Sequence, residues 1–130
     1  KALPRADFIS LHCPKTPETV GLINAARLKL MKPTAYLVNT ARGGIVVEAA
    51  LYDALTSGQL AGAGLDVFEQ EPPPIGHSLF ELPNVVIAPH VAGVTREALD
   101  RMGEQTARNI LSALDGDAIR QNVINQDVLG

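Results

Sequence analysis

Residues 35–68 read AYLVNTARGG IVVEAALYDA LTSGQLAGAG LDVF, and this stretch decides the fold. Ala35–Asn39 is a short apolar run and reads as a strand. Thr40-Ala41-Arg42-Gly43-Gly44 follows as a turn. The period then changes. Val47, Ala50, Leu51, Ala54 and Leu55 fall at i, i+3, i+4, i+7 and i+8, which predicts a helix from about Glu48 to Ser57 with one apolar face. Gly58 stands where a helix C-terminus takes a left-handed residue. Ala61–Phe68 returns to strand character with Gly62 and Gly64 inside it. Glycine weakens a strand, so its presence there implies a close-packed neighbour. Strand, helix and strand in succession argue for a parallel sheet with helices packed on it.

The pattern extends in both directions. Upstream, Phe8-Ile9-Ser10-Leu11 reads as a buried strand that stops at His12-Cys13-Pro14. Pro14–Thr19 holds two prolines and two threonines and reads as a loop. Asn24 caps a short helix with Ala25 and Leu28 among its apolar positions, and Pro33 prevents its continuation. Downstream, residues 69–83 form a proline-rich loop around Pro72-Pro73-Pro74. Val85–Ala88 is a fourth strand, stopped by Pro89. Thr95 caps a longer helix that runs to about Leu114. Leu99, Met102, Thr106, Ile110 and Ala113 share one side of it, a stripe that reads as packing. Asp115-Gly116-Asp117 ends this helix, and Gln121–Gly130 is a polar, weakly patterned tail. The expected fold class is therefore α/β. The irregular step is the 69–83 loop, which joins two strands without a helix.

Composition narrows the function classes. The chain has 130 residues, 46% hydrophobic and 19% charged, which suits one ordinary domain with a core rather than a disordered chain. Its net charge of -3, with 11 scattered Lys and Arg, gives no basic stripe for nucleic acid or an anionic membrane. No run approaches the ~18 apolar residues that span a bilayer. The single cysteine, Cys13, excludes an internal disulfide and fits a reducing, cytoplasmic setting. No His/Cys/carboxylate spacing suggests a metal site.

The reactive side chains gather at strand ends. Arg42 lies just past the second strand and Asp66 near the end of the third. Glu71 lies a few residues beyond, and His90 just past the fourth. In an open parallel sheet, ligands bind outside the carboxyl ends of the strands, so these distant residues meet on one edge. A guanidinium grips a carboxylate with two parallel hydrogen bonds. An imidazole exchanges a proton near neutral pH, and a neighbouring carboxylate favours its charged form. Reduction of a 2-oxo acid needs all three. The acid must be held, the carbonyl oxygen protonated, and the proton donor charged beforehand. The other candidates carry less. His12 reads as structural at a strand end, and His77 as an exposed residue of the proline-rich loop. Cys13 has no histidine placed to activate it and reads as a small, half-buried lining residue.

Three of these stretches carry a family resemblance. Thr40-Ala41-Arg42-Gly43-Gly44, Gly64-Leu65-Asp66-Val67-Phe68 with Glu71-Pro72, and Pro89-His90-Val91-Ala92-Gly93 resemble the signature stretches of the D-isomer-specific 2-hydroxyacid dehydrogenases. Leu11-His12-Cys13-Pro14 followed by Thr16-Pro17-Glu18-Thr19 resembles the loop that opens the same half of that family's nucleotide-binding domain. The resemblance covers almost the whole chain, in order and with matching spacing. It implies that Arg42 binds the substrate carboxylate and carbonyl, and that His90 is the acid/base, oriented and charged by Glu71. It implies that Asp66 faces the nicotinamide end of an NAD or NADP cofactor. Cys13, Pro14, Thr19, Thr40, Ala41, Ala92 and Gly93 are implied to line that cofactor, beside Arg42 and His90. Formate dehydrogenase-type members place glutamine where Glu71 stands, so Glu71 points to a 2-oxo acid reductase. The resemblance also implies a small 2-oxo or 2-hydroxy acid as substrate and a homodimer.

The sequence departs from the family in one large respect. It has no Gly-x-Gly-x-x-Gly turn after a first strand, because Gly62-Ala63-Gly64 is mid-strand and lacks the third glycine. The expectation is a partial NAD(P)-binding domain over residues 1–130. About 1–115 would be the second half of a Rossmann-type sheet, and 116–130 the start of the return to a substrate domain. Two rival expectations follow. One is a catalytically inactive fragment. The other is a corepressor-like NAD-sensing interaction module, since the fold alone does not decide function.

Overall fold

The computed structural model describes residues 2–129; Lys1 and Gly130, the outer ends of the expected 1–130 span and its tail, lie outside the described residues. The chain forms two compact units that divide after Ala92. The first holds four parallel strands in the order β1 (Phe8–Leu11), β2 (Tyr36–Asn39), β3 (Gly62–Leu65) and β4 (Val85–Ile87). Between them run α1 (Ala25–Leu28) and α2 (Glu48–Thr56). The expected α/β architecture is present, with each strand close to where its apolar run placed it.

Register explains which residues are inside. Ile9, Leu37, Ala63 and Val85 lie side by side across the sheet, as do Leu11, Asn39, Leu65 and Ile87. Strand side chains alternate between faces, so these two rows share one face. Leu11, Leu37, Ala63 and Leu65 from this face join Leu28 of α1 and Leu51, Ala54 and Leu55 of α2 in one buried core. The face of α2 read from the sequence is therefore the buried one. Its C-terminus closes as expected, with Gly58 at φ 74°. The opposite sheet face carries Phe8, Tyr36 and Val86, all exposed, and Phe8 and Tyr36 stack at 5.3 Å. Gly62 lies beneath the Tyr36 ring, and a Cβ there would stand 2.9 Å from Tyr36 Cε1. That is the close neighbour its presence in a strand implied.

Two segments of the first unit differ from the sequence reading. The third strand is shorter than Ala61–Phe68 and ends at Leu65; the Asp66 N–H still donates to the Asn39 carbonyl at 3.0 Å, while its side chain binds the turn after β4. The proline-rich loop contains a 3₁₀ turn at Ser78–Glu81, whose Leu79 is fully buried and anchors the loop to the core. His77 is not an exposed loop residue. Its side chain is 13% exposed and pairs with Glu48 at 3.1 Å.

The second unit is built on α3 (Arg96–Leu114), which Thr95 caps through a hydrogen bond from the Ala98 N–H to its Oγ1. Its apolar stripe does not pack as expected. Leu99, Met102 and Ile110 are all about half exposed, and α3 contains no buried residue. The tail is more regular than its composition suggested, with 3₁₀ turns at Arg120–Asn122 and Gln126–Leu129. Among the described residues no helix is long and apolar enough to cross a membrane.

Candidate active site

The site begins where β2 ends. Asn39 is buried, and its side chain shapes the turn that follows. Its Oδ1 accepts from the Ala41 N–H at 3.1 Å, and its Nδ2 donates to the Arg42 carbonyl at 3.0 Å. Asn side chains form such local turns readily. Arg42 is presented at the surface, where its Nη1 donates to the Ala41 carbonyl at 2.7 Å. The loop that follows β1 is pinned beside this turn. The Gly21 N–H donates to the Gly44 carbonyl at 2.8 Å, and the Ile23 N–H to the Ile45 carbonyl at 2.9 Å. One cavity therefore collects Cys13, Pro14, Thr40, Ala41 and Arg42, with His12 and Lys15. Its volume of about 680 Å³ is in the ordinary range for small-molecule sites.

The second part forms where β3 and β4 end. Asp66 is 4% exposed. Its Oδ1 accepts from the Val91 N–H and its Oδ2 from the Ala92 N–H, each at 2.8 Å. A buried carboxylate is tolerated when such donors replace its water. The same bonds hold the turn in which His90 adopts φ 57°, a left-handed conformation uncommon for residues other than glycine. His90 Nδ1 lies 2.8 Å from Glu71 Oε2. Glu71 Oε1 accepts from the Phe68 N–H at 3.0 Å. With Nδ1 facing a carboxylate, any proton this imidazole exchanged with a ligand would have to pass through Nε2.

Glu71 is held below the usual carboxylate range. The largest cause is the Phe68 N–H, followed by the hydrogen bond to His90. The charges of His90 and Arg42 act in the same direction, and desolvation opposes them. A carboxyl depressed in the folded state stabilises the fold above its unfolded value. That contribution is lost as pH falls through the depressed folded value. The Glu71 carboxyl carbon, followed by ¹³C chemical shift, should therefore titrate below an ordinary glutamate. A midpoint at or above the ordinary value would contradict this hydrogen-bond network.

Asp66, Glu71 and His90 line a second cavity with Phe68, Pro72, Phe80 and Ile87 among its apolar walls. Arg42 and Glu71 share a third, smaller hollow with Lys15, Gly43 and Glu69. The structure thus brings Arg42, Asp66, Glu71 and His90 to one strand-end edge. Cys13, Pro14, Thr40 and Ala41 stand beside Arg42. Ala92 contributes its N–H to Asp66. Thr19 is not among the residues lining these cavities. Its hydroxyl donates to the Pro14 carbonyl and accepts from the Thr16 N–H, both at 2.7 Å, and so folds its own loop. Gly93 is exposed and opens the second unit.

Sequence reading did not single out Asn39, Glu48 or Glu69. Asn39 had a usable signal, an amide at the end of an apolar strand just before a turn. Glu48 and Glu69 had none, because they act on each other across 21 residues. Among the described residues no cluster of His, Cys, Asp and Glu is arranged to hold a metal ion.

A parallel sheet with its reactive side chains gathered at the carboxyl edge defines an α/β ligand-binding domain of Rossmann type. Residues 1–92 match the family described as D-isomer specific 2-hydroxyacid dehydrogenase, NAD binding domain, and the chain belongs to that family. It is 51% identical over 127 residues to a glyoxylate reductase of Thermofilum pendens, covering 98% of this chain and 37% of that relative. It is 48% identical over 132 residues to a D-3-phosphoglycerate dehydrogenase of Mycobacterium bovis, covering 97% of this chain and 25% of that protein. Among solved structures it resembles the NAD-complexed D-isomer specific 2-hydroxyacid dehydrogenase of Lactobacillus delbrueckii ssp. bulgaricus. There the TM-score is 0.83 and the identity 38%, over 93% of this chain and 41% of that one. The chain thus spans less than half the length of each of these proteins.

Proposed function

We propose that this chain carries the proton-transfer and carboxylate-binding half of a nicotinamide-dependent 2-hydroxyacid dehydrogenase. In the complete protein it interconverts small 2-oxo acids and D-2-hydroxy acids. The observation that carries this reading is the 2.8 Å Glu71–His90 couple on the strand-end edge that also bears Arg42. A relative named glyoxylate reductase supports the substrate class.

The residues fit the nicotinamide end of NAD or NADP. The cavity beside Arg42 is walled by the small or short side chains of Cys13, Pro14, Thr40 and Ala41, and it opens at the strand ends. The Gly-x-Gly-x-x-Gly cradle for the diphosphate is absent from these residues, so the fit concerns one end of the cofactor. When bound, the nicotinamide supplies the hydride. Arg42 holds the substrate carboxylate with paired N–H donors and turns the keto group toward the edge. His90, its Nδ1 held by Glu71, gives its Nε2 proton to the carbonyl oxygen in reduction. It takes that proton back in oxidation. Glu71 remains ionised throughout and keeps Nδ1 protonated. Asp66 keeps the His90 turn closed.

Kinetics of the complete protein test this. Wild type should reduce glyoxylate, hydroxypyruvate or pyruvate with NADH or NADPH. Arg42→Lys should lose roughly 10- to 100-fold in kcat/KM. An ammonium cannot reproduce the bidentate grip, and a charge-assisted bond contributes about 1.5–3 kcal/mol. The loss should appear mainly as a raised KM for the acid. Near-normal turnover in Arg42→Lys would remove the role given to Arg42. No turnover of any 2-oxo acid by wild type would remove the reading as a whole.

A further inference from the structure

Glu48 occupies an unusual place for a residue outside the site. It is the first residue of α2, whose N-cap is Val47, a side chain that cannot cap. The missing cap comes from far along the chain, since Glu69 Oε1 accepts from the Glu48 N–H at 2.9 Å. Glu48 answers in kind, its Oε1 accepting from the Glu69 N–H at 2.6 Å. The other oxygen, Oε2, lies 3.1 Å from His77 Nε2. His77 Nδ1 accepts from the Leu79 N–H at 3.3 Å. That bond fixes the tautomer: Nδ1 is the acceptor, so Nε2 carries the proton and donates to Glu48. The His77 ring packs edge-on to Phe68 at 5.5 Å and against Phe80 at 5.2 Å. The Glu48 and His77 side chains are only 17% and 13% exposed, so water competes weakly for these bonds.

One carboxylate therefore ties down residue 69 and residue 77, and Glu71 lies between the two ties. We propose that Glu48, Glu69 and His77 form a clamp that positions Glu71 against His90. The three are positioning residues, since each acts through the segment that carries Glu71. The proposal rests on the roles given above to Glu71 and His90. A free segment rich in proline would still be stiff, but it could pivot as a body about Phe68. Glu71 reaches His90 from the same segment that supplies the Phe68 N–H to its other oxygen. A pivot would weaken both bonds together. The groups that face Glu71 are His90, the Phe68 N–H and the Arg42 charge, with Lys15 and Glu69 lining the adjoining hollow. Those that face His77 are Glu48, the Leu79 N–H and the rings of Phe68 and Phe80.

The test is the pH profile of kcat/KM for 2-oxo acid reduction, measured on the complete protein, together with the ¹³C titration of the Glu71 carboxyl. Glu48→Ala should lower kcat about tenfold, the effect of losing a charge-assisted contact. It should leave KM for the cofactor near wild type and move the acid limb up in pH, toward that of an ordinary glutamate. His77→Leu keeps an apolar filling between Phe68 and Phe80 and loses one tie. It should shift the limb in the same direction by less, and it serves if Glu48→Ala fails to fold. Glu48→Gln keeps an amide oxygen for the Glu69 N–H and should fall between wild type and Glu48→Ala. Leu55→Ala, buried on the same helix, is the control. It should lower the melting temperature and leave the acid limb in place. An unmoved limb and Glu71 titration in both Glu48→Ala and His77→Leu, with Glu71→Gln still altering the profile, would overturn the clamp alone. An unaltered profile in Glu71→Gln would overturn the role of Glu71 and take the clamp with it.

Discussion

Replacing His90 by asparagine should lower kcat/KM for 2-oxo acid reduction by about 10²–10⁴, the usual contribution of a positioned general acid. Asparagine is the informative replacement. His90 sits at φ 57°, and asparagine adopts left-handed backbone more readily than most residues. The turn held by Asp66 therefore survives, with the Val91 and Ala92 N–H groups still bound. What disappears is the group proposed to exchange a proton. His90→Ala adds a backbone cost at the same φ, so it should be equally inactive and somewhat less stable. Cofactor affinity should change little in His90→Asn, since the cavity beside Arg42 is lined by other residues. Steady-state kinetics with NADH titrated against a fixed 2-oxo acid measures both quantities. Retention of more than a tenth of wild-type kcat/KM would show that His90 is not the acid.

The edge on which His90 stands was legible in the sequence for a topological reason. Four short apolar runs, each followed by a turn residue or a proline, were enough to place Arg42, Asp66 and His90 at strand ends. Parallel strands put all such ends on the same side. The site followed from the fold without knowledge of any contact. Glu71 was legible through its stretch rather than its position, since it lies beyond β3 in a segment with no regular structure. The bonds that position these groups were not legible. Asp66 read as a cofactor-facing residue, yet its oxygens take the N–H groups of Val91 and Ala92, more than twenty residues away. His77 read as exposed because proline-rich loops usually are. Its burial depends on Leu79 and Phe80 folding that loop back and on a glutamate 29 positions earlier. Such bonds leave no periodicity behind. The stripe on α3 failed for the opposite reason. Periodicity reports that a face is apolar, and it does not report whether anything in the chain covers it.

Gly43→Ala should be the most damaging single methyl in the first unit. An alanine Cβ at this position would stand 1.6 Å from the Phe68 carbonyl oxygen, 2.1 Å from its carbon and 2.8 Å from the Glu69 nitrogen. These are backbone atoms, so no side chain can swing aside. Either the Arg42 turn or the segment after β3 must retreat, and both are fixed. The turn is held by Asn39, and the segment by Glu48 through Glu69 and by Glu71 through Phe68. Overpacking of this kind costs about 3 kcal/mol or more. For a domain of this size that is a fall in Tm of roughly 10 °C. The functional effect should exceed what the lost stability explains. Gly43 is where the arginine-bearing turn and the glutamate-bearing segment touch, so a retreat widens the gap between Arg42 and the Glu71–His90 couple. At a temperature where the variant is still folded, KM for the 2-oxo acid should rise and kcat should fall together. Arg42→Lys, by contrast, should act mainly on KM. Circular dichroism gives the Tm, and initial-rate kinetics well below it gives the rest. A Gly43→Ala protein with wild-type Tm and wild-type kcat would mean that the close approach of Gly43 to Phe68 does not hold the two halves of the site together.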